Sequence, residues 1–93
     1  MAMIYNIELS PNAQDDLVKL AKSEPKAYKK ALAFIDELKV HPTTGTGHPE
    51  PLKGQPENRW SRRISQKHRL VYRIFEIEFV VLVISAYGHY DDK

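Results

Sequence analysis

The order of patterned segments along this chain predicts an α+β domain, and three observations carry that expectation. A short alternating stretch at the start is followed by two helical stripes, a proline- and glycine-rich segment then interrupts the periodicity, and the remainder reads as a basic β-hairpin followed by a run of β-branched residues. Taken in order, the elements are β-α-α-β-β-β, with the helices packed on a small sheet. At 93 residues the chain is expected to form one domain, residues 1–93, which would bury about 60 to 65% of its unfolded surface without metals or disulfides.

Each element has a local cause. Met3 to Leu9 alternates, with Tyr5, Ile7 and Leu9 on one face, as a strand requires. Ser10-Pro11 then marks a helix start, because a serine oxygen accepts an orphan amide of the first turn and a proline at the first helical position removes no needed donor. Asp15 and Asp16 are expected to add favourable charge near that end. Ala13, Leu17, Leu20 and Ala21 form the apolar stripe of this helix. Pro25, after Ser23 and Glu24, predicts a break and a restart. Ala27, Ala31, Phe34, Ile35 and Leu38 form the second stripe, with Lys26, Lys29, Lys30 and Lys39 on the solvated side.

From His41 to Pro56 the chain holds four prolines and three glycines, and Leu52 is nearly its only apolar residue, so a loop is expected. Loops this long in small domains are often functional. Its one acid, Glu50, lies between Pro49 and Pro51, which restrict the backbone and give the carboxylate a defined direction. Trp60 to Phe75 reads as the hairpin. Trp60, Arg62 and Ile64 fall on one side of the first arm, opposite Ser61, Arg63 and Ser65; Leu70, Tyr72 and Ile74 oppose Arg69, Val71 and Arg73 in the second. With Ile64 and the Leu70 row facing the core, Arg63, Arg69 and Arg73 emerge on an open sheet face. Glu76 to Glu78 turns the chain, and Phe79 to Ala86 is expected to be a central strand covered on both faces.

Charge is concentrated in the hairpin. Seven Lys and Arg residues fall between Lys53 and Arg73 against the single acid Glu57, while the rest of the chain holds seven bases and eleven acids. A cluster of this kind either grips phosphate, whose oxygens match guanidinium forks, or keeps a sheet edge from aggregating. Other classes are disfavoured. There is no cysteine for disulfides, thiolate metal ligands or a thiol nucleophile. The opening residues lack the basic region and apolar run of a secretory signal, which makes a cytoplasmic location the expectation. The apolar run Phe79 to Ile84 is far below the roughly 20 residues a membrane helix needs. His41, His48, His68 and His89 lack paired metal-ligand spacing.

Three features could converge: the loop carboxylate Glu50, the arginine row centred on Arg69, and His89 just beyond the last strand. A carboxylate base, a cation and an imidazole acid are what cleavage of RNA by its own 2′-hydroxyl requires. The residues that carry this chemistry also carry a resemblance. Gly45 through Lys53, Trp60-Ser61-Arg62-Arg63-Ile64, His68-Arg69-Leu70-Val71-Tyr72 and His89-Tyr90 resemble, in this order, the YoeB (Txe) toxins of the RelE/ParE superfamily.

The resemblance implies a RelE-like α+β fold, with two helices on one face of a small antiparallel sheet and the other face open to substrate. It implies metal- and cofactor-free cleavage of mRNA in the ribosomal A site. Matched residue by residue, Glu50 is the implied general base, Arg69 the transition-state cation and His89 the general acid, with Tyr90 positioning substrate. Lys53 and Arg63 match positions that hold the RNA backbone, and Arg62 and Arg73 of the same basic hairpin are further candidates for it. Implied partners are a YefM-type antitoxin with a disordered tail, the ribosome with its mRNA, and a second copy of the chain. Asp91, Asp92 and Lys93 depart from the family pattern by following the His-Tyr pair. The competing reading is a non-catalytic module of the same fold, binding RNA, ribosome or antitoxin, with Glu50 and His89 incidental. A ParE-like topoisomerase poison would share the fold and need neither residue.

Overall fold

The computed structural model describes residues 4–54 and 58–88. The elements are β1 (Asn6–Leu9), α1 (Pro11–Ser23), α2 (Pro25–Leu38), β2 (Glu50–Pro51), β3 (Arg59–Arg63), β4 (Arg69–Phe75) and β5 (Val80–Ser85). They build a five-stranded sheet in the order β1-β5-β4-β3-β2. Both helices lie on one face, as expected, and close over a core of Ala13, Leu17, Leu20, Ala31, Phe34 and Leu38 against Ile64, Leu70, Tyr72, Ile74, Val81, Val83 and Ala86.

The expectation of an antiparallel sheet needs correction, because the sheet is mixed. β1 pairs in parallel with β5, Ile7 opposite Val81 and Leu9 opposite Val83, while β5-β4, β4-β3 and β3-β2 are antiparallel. Alternation within one strand encodes neither its partner nor its direction. A parallel partner is open to β1 because the helices between it and β5 supply the long connection that parallel pairing requires.

The start of α1 follows the expected cap and extends it. Ser10 Oγ accepts the Ala13 amide at 3.0 Å and donates to the Ile84 carbonyl at 2.8 Å, so one hydroxyl starts the helix and staples it to β5. Ala13, Leu17 and Leu20 are buried as the stripe predicts, whereas Ala21 is exposed. Asp16 is not a dipole-directed surface charge. It is 5% exposed and its Oδ2 accepts the Ala86 amide at 2.9 Å and the Asn12 side-chain amide at 3.2 Å. The helical lysines Lys26, Lys29, Lys30 and Lys39 are solvated as expected.

Two further expectations change. The segment from His41 to Pro56 is not wholly a loop, because Glu50–Pro51 forms a short edge strand, with Glu50 opposite Ser61 and Pro51 opposite Trp60. An edge is where proline, lacking an N–H, can join a sheet. β5 has a neighbour on each side but is covered on one face only. Val81 and Val83 are fully buried beneath the helices, while Val80 and Leu82 remain half-buried on the other face. The continuous apolar run therefore reflects lateral centrality in the sheet rather than two covering layers. No described helix is long and apolar enough to cross a membrane.

Candidate active site

The hairpin register builds the face away from the helices. Arg63 pairs with Arg69, Ser61 with Val71 and Arg59 with Arg73, so these side chains share one side of the sheet. β2 adds Glu50 opposite Ser61 on the same side. Arg69 Nη1 donates to Glu50 Oε1 at 3.3 Å, with the arginine side chain 22% and the glutamate side chain 59% exposed. The structure thus brings together two of the residues that the sequence selects. Arg63 is exposed beside them, and like charges directly opposite on a sheet repel unless an anion lies between or near them. Arg73 is half-buried, its guanidinium 4.3 Å from the centre of the Phe75 ring. Lys53 is exposed in the turn that follows β2.

Arg62 does not belong to this surface, and its assignment as an RNA contact is corrected. It is fully buried on the helix side of the sheet, as alternation between Trp60 and Ile64 dictates. Its guanidinium pairs with Glu37 and donates to the carbonyls of His41, Thr44 and Thr46, and its Nε donates to Tyr72 Oη at 3.3 Å. Tyr72 in turn donates to the Pro42 carbonyl at 2.8 Å. One cation therefore gathers the loop from 41 to 46 by its backbone and leads the chain toward Glu50.

The loop is held at two further points. Glu37 accepts from the Thr46 amide at 2.9 Å. The Arg63 amide donates to the Gly47 carbonyl at 2.7 Å, and Gly47, at φ 80°, lies so close to the Phe34 ring that a side chain there would strike it. Burial works to raise the Glu37 carboxyl, but the Thr46 amide, the Arg62 guanidinium and the Thr46 hydroxyl together outweigh it and hold the group below the ordinary carboxylate range. Desolvation pushes the Tyr72 phenol upward despite the Arg62 hydrogen bond and charge.

At the other end of the site, Ala86 to Gly88 carries the chain past β5. The Arg69 amide donates to the Gly88 carbonyl at 3.0 Å, so the backbone of the candidate cation and the last described residue touch directly. His89 and Tyr90, the candidate acid and substrate-positioning residue, lie outside the described residues, as do Asp91, Asp92 and Lys93. His68, just ahead of β4, is 3% exposed with both ring nitrogens engaged. Ser61 is fully buried under the open face, and its Oγ has no hydrogen-bond partner among the described residues.

Sequence reasoning missed the supporting acids. Asp16 occupies the apolar stripe between Ala13 and Leu20, and a carboxylate in a stripe is a signal that a buried donor awaits it. Glu37, one turn beyond Phe34 on α2, carried no comparable signal, because its partner comes from a strand 25 residues away. Among the described residues no three His, Cys, Asp or Glu side chains gather where they could hold a metal ion.

The chain is similar to known proteins over most of its length. The sequence model of the family described as "YoeB-like toxin of bacterial type II toxin-antitoxin system" matches residues 9–90. A protein named Toxin YoeB from Mycobacterium bovis is 35% identical over 85 residues, covering 91% of this chain and 98% of that one. Two solved structures from Staphylococcus aureus, a YoeB dimer and a YoeB-YefM complex, superpose with TM-scores of 0.80 and 0.77; each is 31% identical and covers 92% of this chain and 98% of the other. On the matched span and the shared fold, the chain belongs to the YoeB-like toxins of bacterial type II toxin-antitoxin systems.

Proposed function

We propose that this toxin is a ribosome-dependent endoribonuclease that cleaves mRNA in the A site and so arrests translation in the cytoplasm. The observation that carries the reading is the 3.3 Å pair of Glu50 and Arg69 on an open face bearing Arg63 and Arg73. A structural ion pair needs no such surroundings, whereas a phosphodiester needs both the basic face and a base within reach of its sugar.

In this reading Arg63, Arg73 and Lys53 grip the backbone, placing the scissile phosphate against Arg69. Glu50 takes the proton of the 2′-hydroxyl as that oxygen attacks the adjacent phosphorus. Arg69 neutralises charge on the equatorial oxygens of the phosphorane, where a guanidinium is worth most once water is displaced. The bond from phosphorus to the 5′-oxygen breaks, His89 protonates the departing oxygen, and Tyr90 holds the nucleotide in line. A 2′,3′-cyclic phosphate and a 5′-hydroxyl result. Each proton transfer supplies about 10² to 10⁴ in rate.

By analogy with the Staphylococcus aureus assemblies, the partners are a YefM-type antitoxin and a second toxin copy. The test is primer extension on a defined mRNA with and without 70S ribosomes, comparing the protein with Glu50→Ala, Arg69→Ala and His89→Ala. Cuts confined to the A-site codon, dependent on ribosomes and lost in all three variants, are expected. Ribosome binding without cleavage would overturn the nuclease reading in favour of a non-catalytic binding module.

A further inference from the structure

We propose that His68, oriented by Glu24, is a positioning residue that sets the backbone from which the general acid departs. This rests on the nuclease reading, since the acid concerned is His89, the residue that follows Gly88. His68 Nδ1 accepts the Gly88 amide at 2.8 Å, and its Nε2 lies 2.6 Å from Glu24 Oε2. An imidazole nitrogen that accepts an N–H must carry a lone pair, so the proton resides on Nε2 and is donated to the carboxylate. Glu24 thereby selects the one tautomer able to hold Gly88.

Glu24 is itself well placed for this. It stands at the corner between α1 and α2, its amide bonded to the Leu20 carbonyl at 2.7 Å and its carbonyl accepting the Tyr28 amide at 3.0 Å. The ring it orients is sealed by Tyr87, whose ring centre is 4.5 Å away, and Lys19 on α1 lies 5.3 Å from the Tyr87 ring. Gly88 adopts φ 84°, a conformation that glycine enters without a Cβ penalty. Among the described residues nothing beyond its chain neighbours lies within 4 Å of where a Cβ would be, and hydrogen bonds hold Gly88 at both its amide and its carbonyl. Among the described residues, the Gly88 amide donates to His68 and the Gly88 carbonyl accepts from the Arg69 amide.

The substitutions His68→Asn and His68→Gln separate the two halves of the ring. Asparagine keeps an acceptor near the Nδ1 position and loses the donor; glutamine keeps a donor near Nε2 and loses the acceptor. Each is measured in three ways: Gly88 amide hydrogen exchange by NMR, the melting temperature, and single-turnover cleavage across ribosome concentrations. In His68→Gln, Gly88 exchange should accelerate about five- to tenfold for one lost hydrogen bond. Its cleavage rate constant should fall by up to about 10², the scale of a misplaced catalytic group, with half-saturating ribosome concentration unchanged.

His68→Asn should retain Gly88 protection and most of the rate, and Glu24→Ala, which frees the tautomer, should fall between the two. Equal exchange and equal cleavage in the two His68 variants, or a rate loss that simply follows the melting temperature, would overturn the proposal. Absence of cleavage by the unmodified protein would overturn the nuclease reading and, with it, the role of His68 in positioning the acid. Slowed cleavage without any change at Gly88 would overturn the positioning role alone.

Discussion

Removing the Asp16 carboxylate tests whether a buried acid on α1 fixes the end of β5. In Asp16→Ala the Ala86 amide, on a residue with no solvent exposure, loses its 2.9 Å acceptor. An unsatisfied buried donor costs about 1 to 3 kcal/mol. Alanine is the better helix former by about 0.5 kcal/mol, which offsets part of that loss. The net destabilisation is therefore about 0.5 to 2.5 kcal/mol, and at about 4 to 8 °C per kcal/mol for a domain of this size the melting temperature should fall by about 2 to 20 °C. Asp16→Asn, which keeps an oxygen acceptor at the same position, should lose less than half as much. The assay is thermal unfolding by circular dichroism, with amide hydrogen exchange at Ala86 as the local readout. If Asp16→Ala melts within about 2 °C of the parent, below the smallest shift the ledger allows, or if Ala86 exchange is unchanged, the carboxylate does not hold this strand end.

Other outcomes follow from the same geometry. Because the folded-state pKa of Glu37 is depressed, its contribution is present above the ordinary glutamate value of 4.5 and disappears as pH falls through the folded value; the stability deficit of Glu37→Gln should thus be full at neutral pH and shrink in acid. Urea titrations from neutral pH downward check this, and a deficit that grows on acidification would contradict it. Gly88→Ala should destabilise by about 1 to 2 kcal/mol through left-handed backbone strain alone, as there is space for the methyl group, and should slow cleavage more than its melting temperature implies. Comparison of unfolding with single-turnover cleavage separates those effects. Ser61→Ala removes a buried hydroxyl that has no partner among the described residues, so its melting temperature should be unchanged or higher by a few degrees, at about 4 to 8 °C per kcal/mol. A clear drop in differential scanning calorimetry would show that the hydroxyl is satisfied in solution.

Residue patterns carried the elements because those patterns are local. Ser10-Pro11 starts α1, Pro25 restarts the chain as α2, and the alternation of Leu70, Tyr72 and Ile74 against Arg69 and Arg73 places the arginines on the face away from the helices. The same alternation places Arg62 inward, while its membership of the basic hairpin makes it a candidate RNA contact. Burying a guanidinium requires acceptors on all sides, and those acceptors come from α2, from the loop at 41 to 46 and from β4. Such a set is invisible in sequence until the chain has closed on itself.

The pairing of Glu50 with Arg69 shows the same division. Flanking prolines made the carboxylate conspicuous, but its place opposite Ser61 depends on a two-residue edge strand too short to leave a periodic signal. By itself the sequence determined the order and type of the main elements and the side of the hairpin on which most of the charge emerges. Tertiary structure alone decided that β1 runs parallel to β5, that Arg62 is a clamp rather than a contact, that Asp16 faces inward, and that His68 joins Glu24 to Gly88. The physical reason is common to all of them: propensity and periodicity act over a few neighbouring residues, whereas a buried charge or a strand partner is defined by groups far apart in the chain that meet only when the core forms.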